Sequence, residues 1–300
     1  VECSDVIPFV HIALFAPGPP PVYSRQKQVR GDRQVMEWLE ANGAVFRTER
    51  VGGGAGAPLL LIHELGGDMT SWDPALAAGI AAGRPALRLD WRGAGMSEKI
   101  RGPFDIEVMS KDIAEIVRTS GFGDGAPIEG IGIALGAGVA IALAARNPQM
   151  VRRLIATSPA IAGTPDTRER MLGRAKGVEE QGMRPFCEGS HAVSFPEHLR
   201  KDPAAYAWYR KKWIAQDPSS FAAHNRMLAN MDETPNLART KADSLVLSGT
   251  HDPLRTPAAV KKIAEQISGA AYEELETGHF MHVQTPELCA AKAVAFLDKA

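Results

Sequence analysis

The chain has 300 residues, of which 45% are hydrophobic and 23% charged, and its formal net charge is −1. This composition is typical of a soluble globular protein, and the length fits one domain with an insertion. The near-neutral charge gives no electrostatic reason to expect nucleic acid or an anionic membrane as a partner. No apolar run reaches the roughly 18 residues of a membrane span, so no membrane partner is expected.

Three cysteines are scattered along the chain, at Cys3, Cys187 and Cys289. Their odd number and wide spacing argue against a disulfide framework and against a zinc site. We therefore expect a reducing, cytoplasmic compartment, no metal and no cofactor. The expected partner is a small-molecule substrate, and a homodimer is left open as the assembly.

The first 42 residues are interpreted as an N-terminal extension with a helix. Residues 1–24 hold a short apolar run followed by a proline cluster, which indicates a surface segment; a degenerate targeting segment is the alternative. Residues 25–42 (RQKQVRGDRQVMEWLEAN) have the spacing of an amphipathic helix that ends near Gly43.

Strand-like and helix-like segments alternate through most of the remaining chain. Continuous apolar runs of strand length are typical of strands that are buried on both faces. Their alternation with helices predicts a mostly parallel α/β sheet flanked by helices. The predicted strands are GAVFRTERV, PLLLIHE, RPALRLDW, PIEGIGIA, VRRLIATSPA, DSLVLSG and AAYEELE, and the predicted helices lie at 71–82, at 105–120 between Asp105 and Gly121, in GAGVAIALAARNP, in PAAVKKIAEQI and from Pro286 onward.

Residues 164–238 interrupt this alternation. They are rich in Arg, Met and aromatic residues at helical spacing, and they contain no apolar strand. The aromatic content argues against a disordered insert. We interpret the segment as a helical cap inserted between two parts of the sheet core, at 43–163 and 239–300.

The stretch GIGIALGAG, in which the PIEGIGIA strand ends, has the form of a nucleophile elbow, which is a sharp strand-to-helix turn with the pattern G-x-S-x-G. Gly132 and Gly136 occupy the glycine positions, but the central residue is Ala134. The turn should place residue 134 at the N-terminus of a helix, where backbone N–H groups are free. The N–H of Leu135 can then face an oxyanion, and a second N–H should come from Leu65, after an earlier buried strand.

Other strand ends carry residues that complete such a site. Parallel strands bring their carboxyl ends to one edge of the sheet, so Asp252 and His279 should lie near the elbow. Their order, elbow then acid then histidine, is that of a serine hydrolase triad. We expect Asp252 to hydrogen-bond one nitrogen of His279 and to fix its tautomer. The pocket beside them should be mostly apolar, lined by Leu65, Leu135 and aromatic side chains.

From residue 43 to 298 the chain resembles the α/β-hydrolase fold superfamily, in its 3-oxoadipate enol-lactonase-like branch. The resemblance is carried by HELGGDMTSWDP, LRLDWRGAGMSE, GIALGAG, VLSGTHDP and ETGHFMHVQTP, in that order. It implies an α/β-hydrolase fold with a cap and a hydrolase for a small ester, lactone or related carbonyl compound. We expect Trp91 and Phe280 to line the substrate pocket together with Leu65 and Leu135. Glu64 stands where the family usually has glycine, and it would bring a carboxylate to the oxyanion pocket.

Ala134 leaves two interpretations open, because alanine cannot be deprotonated and cannot attack. In the first, Ala134 stands in place of a serine, and the chain is a hydrolase in an inactive form. In the second, alanine is the native residue. The protein is then a non-hydrolytic acid–base enzyme (a lyase, an isomerase or an enzyme of C–C bond chemistry) using His279 and Asp252, or a catalytically silent ligand-binding protein.

Overall fold

The computed structural model describes residues 35–299, so the predicted surface segment and the first part of the predicted N-terminal helix lie outside the described residues. Eight strands form one sheet. They are β1 (Val35–Ala41), β2 (Ala44–Gly52), β3 (Leu59–Ile62), β4 (Pro85–Leu89), β5 (Ile128–Ile133), β6 (Val151–Thr157), β7 (Asp243–Gly249) and β8 (Ala271–Leu275). Their order in the sheet is β1-β2-β4-β3-β5-β6-β7-β8. β1 and β2 pair antiparallel, as do β2 and β4, and the other neighbours are parallel.

The described residues contain eleven α-helices, of which the last two are α10 (Met281–Gln284) and α11 (Pro286–Leu297). Those before the insert are α1 (Asp73–Ala77), α2 (Ile106–Ser120) and α3 (Leu135–Arg146). The insert holds α4 (Pro165–Gln181), α5 (Met183–Ser194), α6 (Pro203–Ile214), α7 (Pro218–Asn230) and α8 (Thr234–Arg239), and α9 (Pro257–Ala264) follows β7.

Helices cover both faces of the sheet. The central strands β3 and β5 are buried at every residue, which is why their sequences are apolar almost throughout rather than alternating. Apolar side chains of α2, α3 and α9 belong to the core on one face, and those of α1 and α11 to the core on the other. None of the helices in the described residues is both long and apolar enough to cross a bilayer.

The segment between β6 and β7 is helical. Its two ends are held together, since Ala162 forms an antiparallel bridge with Asp232 and the N–H of Glu233 donates to the carbonyl of Ile161. The carboxylate of Glu233 also binds Arg146 of α3 at 2.8 Å, which fixes the base of the insert to the core.

The prediction of a helix at 25–42 is wrong over residues 35–41, which form the edge strand β1. Met, Glu, Leu and Ala favour helices, but exposure alternates along this segment, as it does in a strand with one buried face. Asn42 (φ 45°) and Gly43 (φ 69°) form the two-residue turn of a hairpin, with Ala41 opposite Ala44. An Asn-Gly pair between two such segments strongly signals a hairpin, and pairing with β2 overrides the helical preference.

Two predicted helices have different outcomes. The helix at 105–120 is confirmed as α2: the Asp105 side chain accepts the N–H of Val108 at 2.8 Å, and Gly121 ends the helix in a left-handed conformation (φ 65°). The helix predicted at 71–82 is shorter. A 3₁₀ turn at Met69–Trp72 leads into the five-residue α1, because Gly79 and Gly83 adopt positive φ soon afterwards.

Gly43 lies in a turn at positive φ and Gly173 lies inside a helix. Replacement by alanine should therefore change the free energy of unfolding in opposite directions at the two positions. Gly43→Ala should lower the free energy of unfolding by about 1 kcal/mol, because a Cβ atom disfavours positive φ. Gly173→Ala, inside α4 and with open space around the new methyl group, should raise it by about 0.5–1 kcal/mol through a smaller loss of backbone entropy. Urea unfolding of the two variants checks both signs, and a stabilised Gly43→Ala variant would contradict the hairpin turn.

Candidate active site

A sharp turn joins β5 to α3, and Ala134 is the residue at its apex. Its backbone lies at φ 52° and ψ −111°, a conformation that costs non-glycine residues on the order of 1–3 kcal/mol. A Cβ atom on Gly132 would clash with the carbonyl of Gly136, and one on Gly136 with the carbonyl of His63. Close backbone packing therefore requires both glycines and holds the strained turn without any contribution from a side chain at position 134.

His279 and Asp252 meet at the same edge of the sheet, beyond β8 and β7 respectively. The Nδ1–H of His279 donates to Asp252 Oδ2 over 2.7 Å, as the order of the two residues in the sequence predicts. Asp252 Oδ1 accepts the backbone N–H groups of Leu254 and Arg255 at 2.9 and 3.0 Å. Burial alone would raise the pKa of Asp252, but the charge and hydrogen bond of His279 outweigh it, and the pKa is lowered. The carboxylate is therefore ionised and both of its oxygens are occupied.

Two backbone N–H groups are free near this pair. Leu135 is the first residue of α3, so its N–H has no carbonyl one turn earlier in the helix. Within residues 35–299, the N–H of Leu65 also has no hydrogen-bond acceptor. In the Leu65 loop the left-handed position is taken by Gly66 (φ 86°), so Glu64 carries no backbone strain. The loop and the helix thus offer two donors of the kind that stabilise an oxyanion.

The Glu64 carboxylate is fully buried and connects three segments of the chain. Its Oε1 accepts the hydroxyl of Tyr209, on insert helix α6, at 2.7 Å and that of Ser71 at 3.0 Å. Its Oε2 accepts Nε2–H of His282, on α10, at 3.0 Å. Burial would raise the pKa of Glu64, but the charge and hydrogen bond of His282, with smaller contributions from His63 and Tyr209, lower it to about 2.

One cavity lies between the sheet edge and the helical insert. Its space, including the open mouth, is about 750 Å³. Leu65, Ala134, Leu135, His279 and Phe280 all line it, so the structure brings these predicted site residues together. The insert contributes the remaining aromatic wall through Trp213 of α6, together with several aliphatic and arginine side chains.

Two residues that the sequence analysis places in the pocket do not line this cavity. The carboxylate of Glu64 is held inside the protein by its three hydrogen bonds, and Glu64 is not among the residues that line the cavity. Trp91 is buried against the ring of His63, with the ring centroids 3.9 Å apart. Across residues 35–299, no three His, Cys, Asp or Glu side chains are grouped so as to hold a metal ion.

The partners of Glu64 were not predicted from the sequence. His282 had no expected role, and Tyr209 counted only among the aromatic residues of the insert. His282 and Tyr209 lie 218 and 145 residues from Glu64 along the chain, so no local sequence pattern predicts these contacts. The available signal is Glu64 itself, because a carboxylate that follows a buried strand requires compensating donors.

The depressed pKa of Glu64 predicts a specific acid sensitivity. Because the folded carboxyl group has a pKa of about 2 against an ordinary value of 4.5, the unfolded chain binds a proton that the folded chain does not. This contribution to stability is complete above about pH 4.5 and is lost as the pH falls towards 2. In Glu64→Gln, the fall in the free energy of unfolding between about pH 4.5 and pH 2 should be smaller by on the order of 1–3 kcal/mol.

The measurement is the free energy of unfolding between pH 2 and 7 for the unchanged chain, Glu64→Gln and Glu265→Gln. Glu265 is exposed and serves as the matched control, so its variant should keep the full acid sensitivity. An undiminished pH dependence in Glu64→Gln would contradict the assignment of an ionised buried carboxylate.

Comparisons with known proteins agree with this architecture. The chain is 24% identical over 233 residues to 3-oxoadipate enol-lactonase 2 of Acinetobacter baylyi, covering 76% of this chain and 84% of that protein. It is 23% identical over 238 residues to the pyrrolizixenacetamide deacetylase of Xenorhabdus hominickii, covering 78% of this chain and 88% of that protein.

Among solved structures, the enol-lactonase of Burkholderia xenovorans superposes with a TM-score of 0.81 at 27% identity, over 88% of this chain and 100% of that one. The similarity to enol-lactonases and the α/β-hydrolase fold are thus both confirmed. The family described as serine aminopeptidase, S33, matches residues 55–285. Because that match spans well over half of the chain, the protein belongs to the serine aminopeptidase, S33, family of α/β-hydrolases.

Proposed function

We propose that this chain carries the machinery of a serine-type hydrolase for a small ester, lactone or related carbonyl compound, in an inactive form with Ala134 at the nucleophile position. One observation carries the proposal: Ala134 occupies the strained apex of the elbow, in the same cavity as His279 and the residues of both free backbone donors. A turn of this conformation presents a side chain to a substrate, and here the side chain is a methyl group.

The hydrogen bond to Asp252 determines how His279 can act. With Nδ1–H donated to the carboxylate, the neutral ring carries its lone pair on Nε2. Asp252 stabilises the imidazolium that forms when Nε2 takes up a proton. His279 is therefore a base and then an acid, and Asp252 is its positioning partner.

With a serine at position 134, the reaction steps follow directly. The hydroxyl proton moves to Nε2 of His279 as Oγ bonds to the carbonyl carbon, and the carbonyl oxygen becomes an oxyanion near the N–H groups of Leu65 and Leu135. The C–O bond to the leaving group then breaks, and the leaving oxygen takes the proton from Nε2. Water repeats both steps and releases the acid. With Ala134 the first bond cannot form, so the carbonyl compound is bound and not cleaved.

The relatives support this class of substrate. Their names describe the opening of a lactone and the removal of an acetyl group, both of which break an acyl bond at a carbonyl carbon. The helical insert at 164–238 is proposed to act as the cap of the cavity, since its residues line the same cavity as Leu65 and Ala134.

The intact pair of His279 and Asp252 favours a second candidate function, proton transfer that needs no nucleophile. An ionised Asp252 paired with a histidine would serve a lyase or isomerase equally well. The two candidates differ in which protein is active: the proton-transfer enzyme turns over its substrate as the sequence stands, and Ala134→Ser leaves that activity unchanged or lower.

The deciding experiment is Ala134→Ser assayed against small neutral aryl esters and lactones. We expect hydrolysis at least about 10³-fold faster than with the unchanged chain, since loss of the triad serine costs about 10⁶-fold in kcat in the protease subtilisin. A serine-directed phosphonate should add covalently to residue 134 of this variant and not to the unchanged chain, as seen by intact-protein mass spectrometry.

The double variants Ala134→Ser/His279→Ala and Ala134→Ser/Asp252→Asn test the base and its partner. Both should fall back towards the rate of the unchanged chain while keeping its circular dichroism spectrum. Ala134→Gly is the matched control at the elbow, because it changes the same position and supplies no hydroxyl. An Ala134→Ser variant that resists the phosphonate and the whole panel of esters and lactones would refute the proposal.

A further inference from the structure

Three arginines line the same cavity as Ala134 and His279. Arg170 and Arg174 lie one turn apart on α4 of the insert, and Arg255 lies in the loop three residues after Asp252. They therefore approach the cavity from the insert and from the sheet core. The hydrolytic mechanism uses none of them.

Among the described residues, the acidic side chain that acts on this group of arginines is Asp252, whose charge is felt by Arg255 and which is already hydrogen-bonded to His279. No Asp or Glu side chain lines the cavity, and in the part of the chain from 35 to 299 none of the three arginines forms an ion pair. Arg255 donates from Nη1 only to the neighbouring carbonyl of Leu254, at 2.9 Å. The Arg174 guanidinium lies 5.0 Å from the ring centroid of Phe186. Arg174 and Arg255 are partly buried while Arg170 is exposed. Partly buried charges without an ion-pair partner are uncommon, because the loss of hydration is not compensated.

The arginines also act on one another. Burial lowers the pKa of Arg174 to about 10, and the charge of Arg170 adds to this effect. Burial likewise lowers the pKa of Arg255, where Asp252 opposes the shift and Arg170 again adds to it. Arginine side chains are not deprotonated in proteins, so the cluster is cationic. Arg170 thus repels both Arg174 and Arg255, which indicates a positive cluster at the cavity wall. A bound anion would reduce this repulsion.

We propose that Arg170, Arg174 and Arg255 form an anion subsite, so that the ligand of this cavity carries an anionic group in addition to its reacting carbonyl, with a dianionic group preferred over a single carboxylate. The inference that the ligand has a reacting carbonyl depends on the proposed function. The inference that it has an anionic group depends only on the arginines. Guanidinium groups bind carboxylate and phosphate oxygens through paired N–H donors. Arg170 and Arg174 form no ion pair within the described residues, and Arg255 adds a third charge that Asp252 offsets only in part, so two negative charges match the cluster better than one.

A neighbouring arginine provides the contrast. Arg168 lies on the same helix and is exposed, as Arg170 is, but it does not line the cavity and donates to the side-chain oxygen of Asn230 at 3.1 Å. If the cavity arginines served only to keep the insert hydrated, substitution of Arg168 and substitution of Arg174 would affect ligand binding equally. An anion subsite requires that only the substitution of Arg174 weakens anion binding.

The test is calorimetric binding to the unchanged chain with four ligands of similar size: dimethyl glutarate, monomethyl glutarate, a monomethyl ester of tricarballylic acid with two free carboxylates, and methyl 4-phosphonobutanoate. The titrations are run at about pH 8.5, where the phosphonate carries two charges. Affinity should then rise by about 10-fold from the neutral ester to the monoanion, and further to the two dianions. The last two ligands distinguish a dicarboxylate from a phosphonate.

The arginine variants localise the effect. Arg174→Gln and Arg255→Gln should each weaken the dianions by about 10-fold and leave the neutral ester unchanged, and Arg174→Lys should be intermediate because it retains the charge without the paired donors. Arg168→Gln should bind all four ligands as the unchanged chain does. The exposed Arg170 is the safest position for folding, so Arg170→Gln decides the matter if the other variants unfold.

Equal affinity for the neutral and anionic esters would overturn the subsite, as would equal effects of Arg168→Gln and Arg174→Gln. Neither result bears on the hydrolase proposal, because that proposal is tested by hydrolysis of neutral aryl esters by Ala134→Ser. Conversely, anion preference in the unchanged chain combined with an inert Ala134→Ser variant would support the subsite and refute the hydrolase.

Discussion

The buried carboxylate of Glu64 is the interaction on which the arrangement of this site depends. A fully buried negative charge is tolerated only when donors surround it, and here the donors come from three separate parts of the chain. Tyr209 ties insert helix α6 to the loop after β3. His282 ties the same loop to α10, three residues after His279. The carboxylate thereby links the insert, the loop with the Leu65 N–H and the segment that carries the histidine.

The hydrogen bonds of Glu64 give it a structural role, whereas its position in the sequence suggests a carboxylate that faces the cavity. A carboxylate beside an oxyanion pocket would oppose the charge that develops there. The structure directs it away from the cavity, and its hydrogen bonds keep it ionised inside the protein. Gly67 packs directly against Glu64 Oε1, so the loop closes over the carboxylate. Glu64 thus fixes the loop in place, while the cavity itself is positively charged through its arginines.

Much of the fold was predictable because parallel strands buried on both faces leave long apolar runs, as in β3 and β5. The pairing of His279 with Asp252 was also predictable, since strand ends meet at one edge of a parallel sheet. The hairpin at Asn42 and Gly43 was missed although its signal is local, because helix-favouring residues precede it. The contacts of Glu64 could not have been found, because they join distant parts of the chain and depend on how the insert packs. The charge of the arginines was visible in the sequence, but their convergence on one cavity was not.

The elbow at Ala134 has a consequence for how this protein can change. Its backbone is held by glycine packing against the β3 loop, so the turn does not need the hydroxyl that it is shaped to present. Each alanine codon differs from one of the serine codons at a single base. The chain as it stands and its proposed hydrolytic form are therefore one base change apart, and the glycine packing of the turn is the same in both.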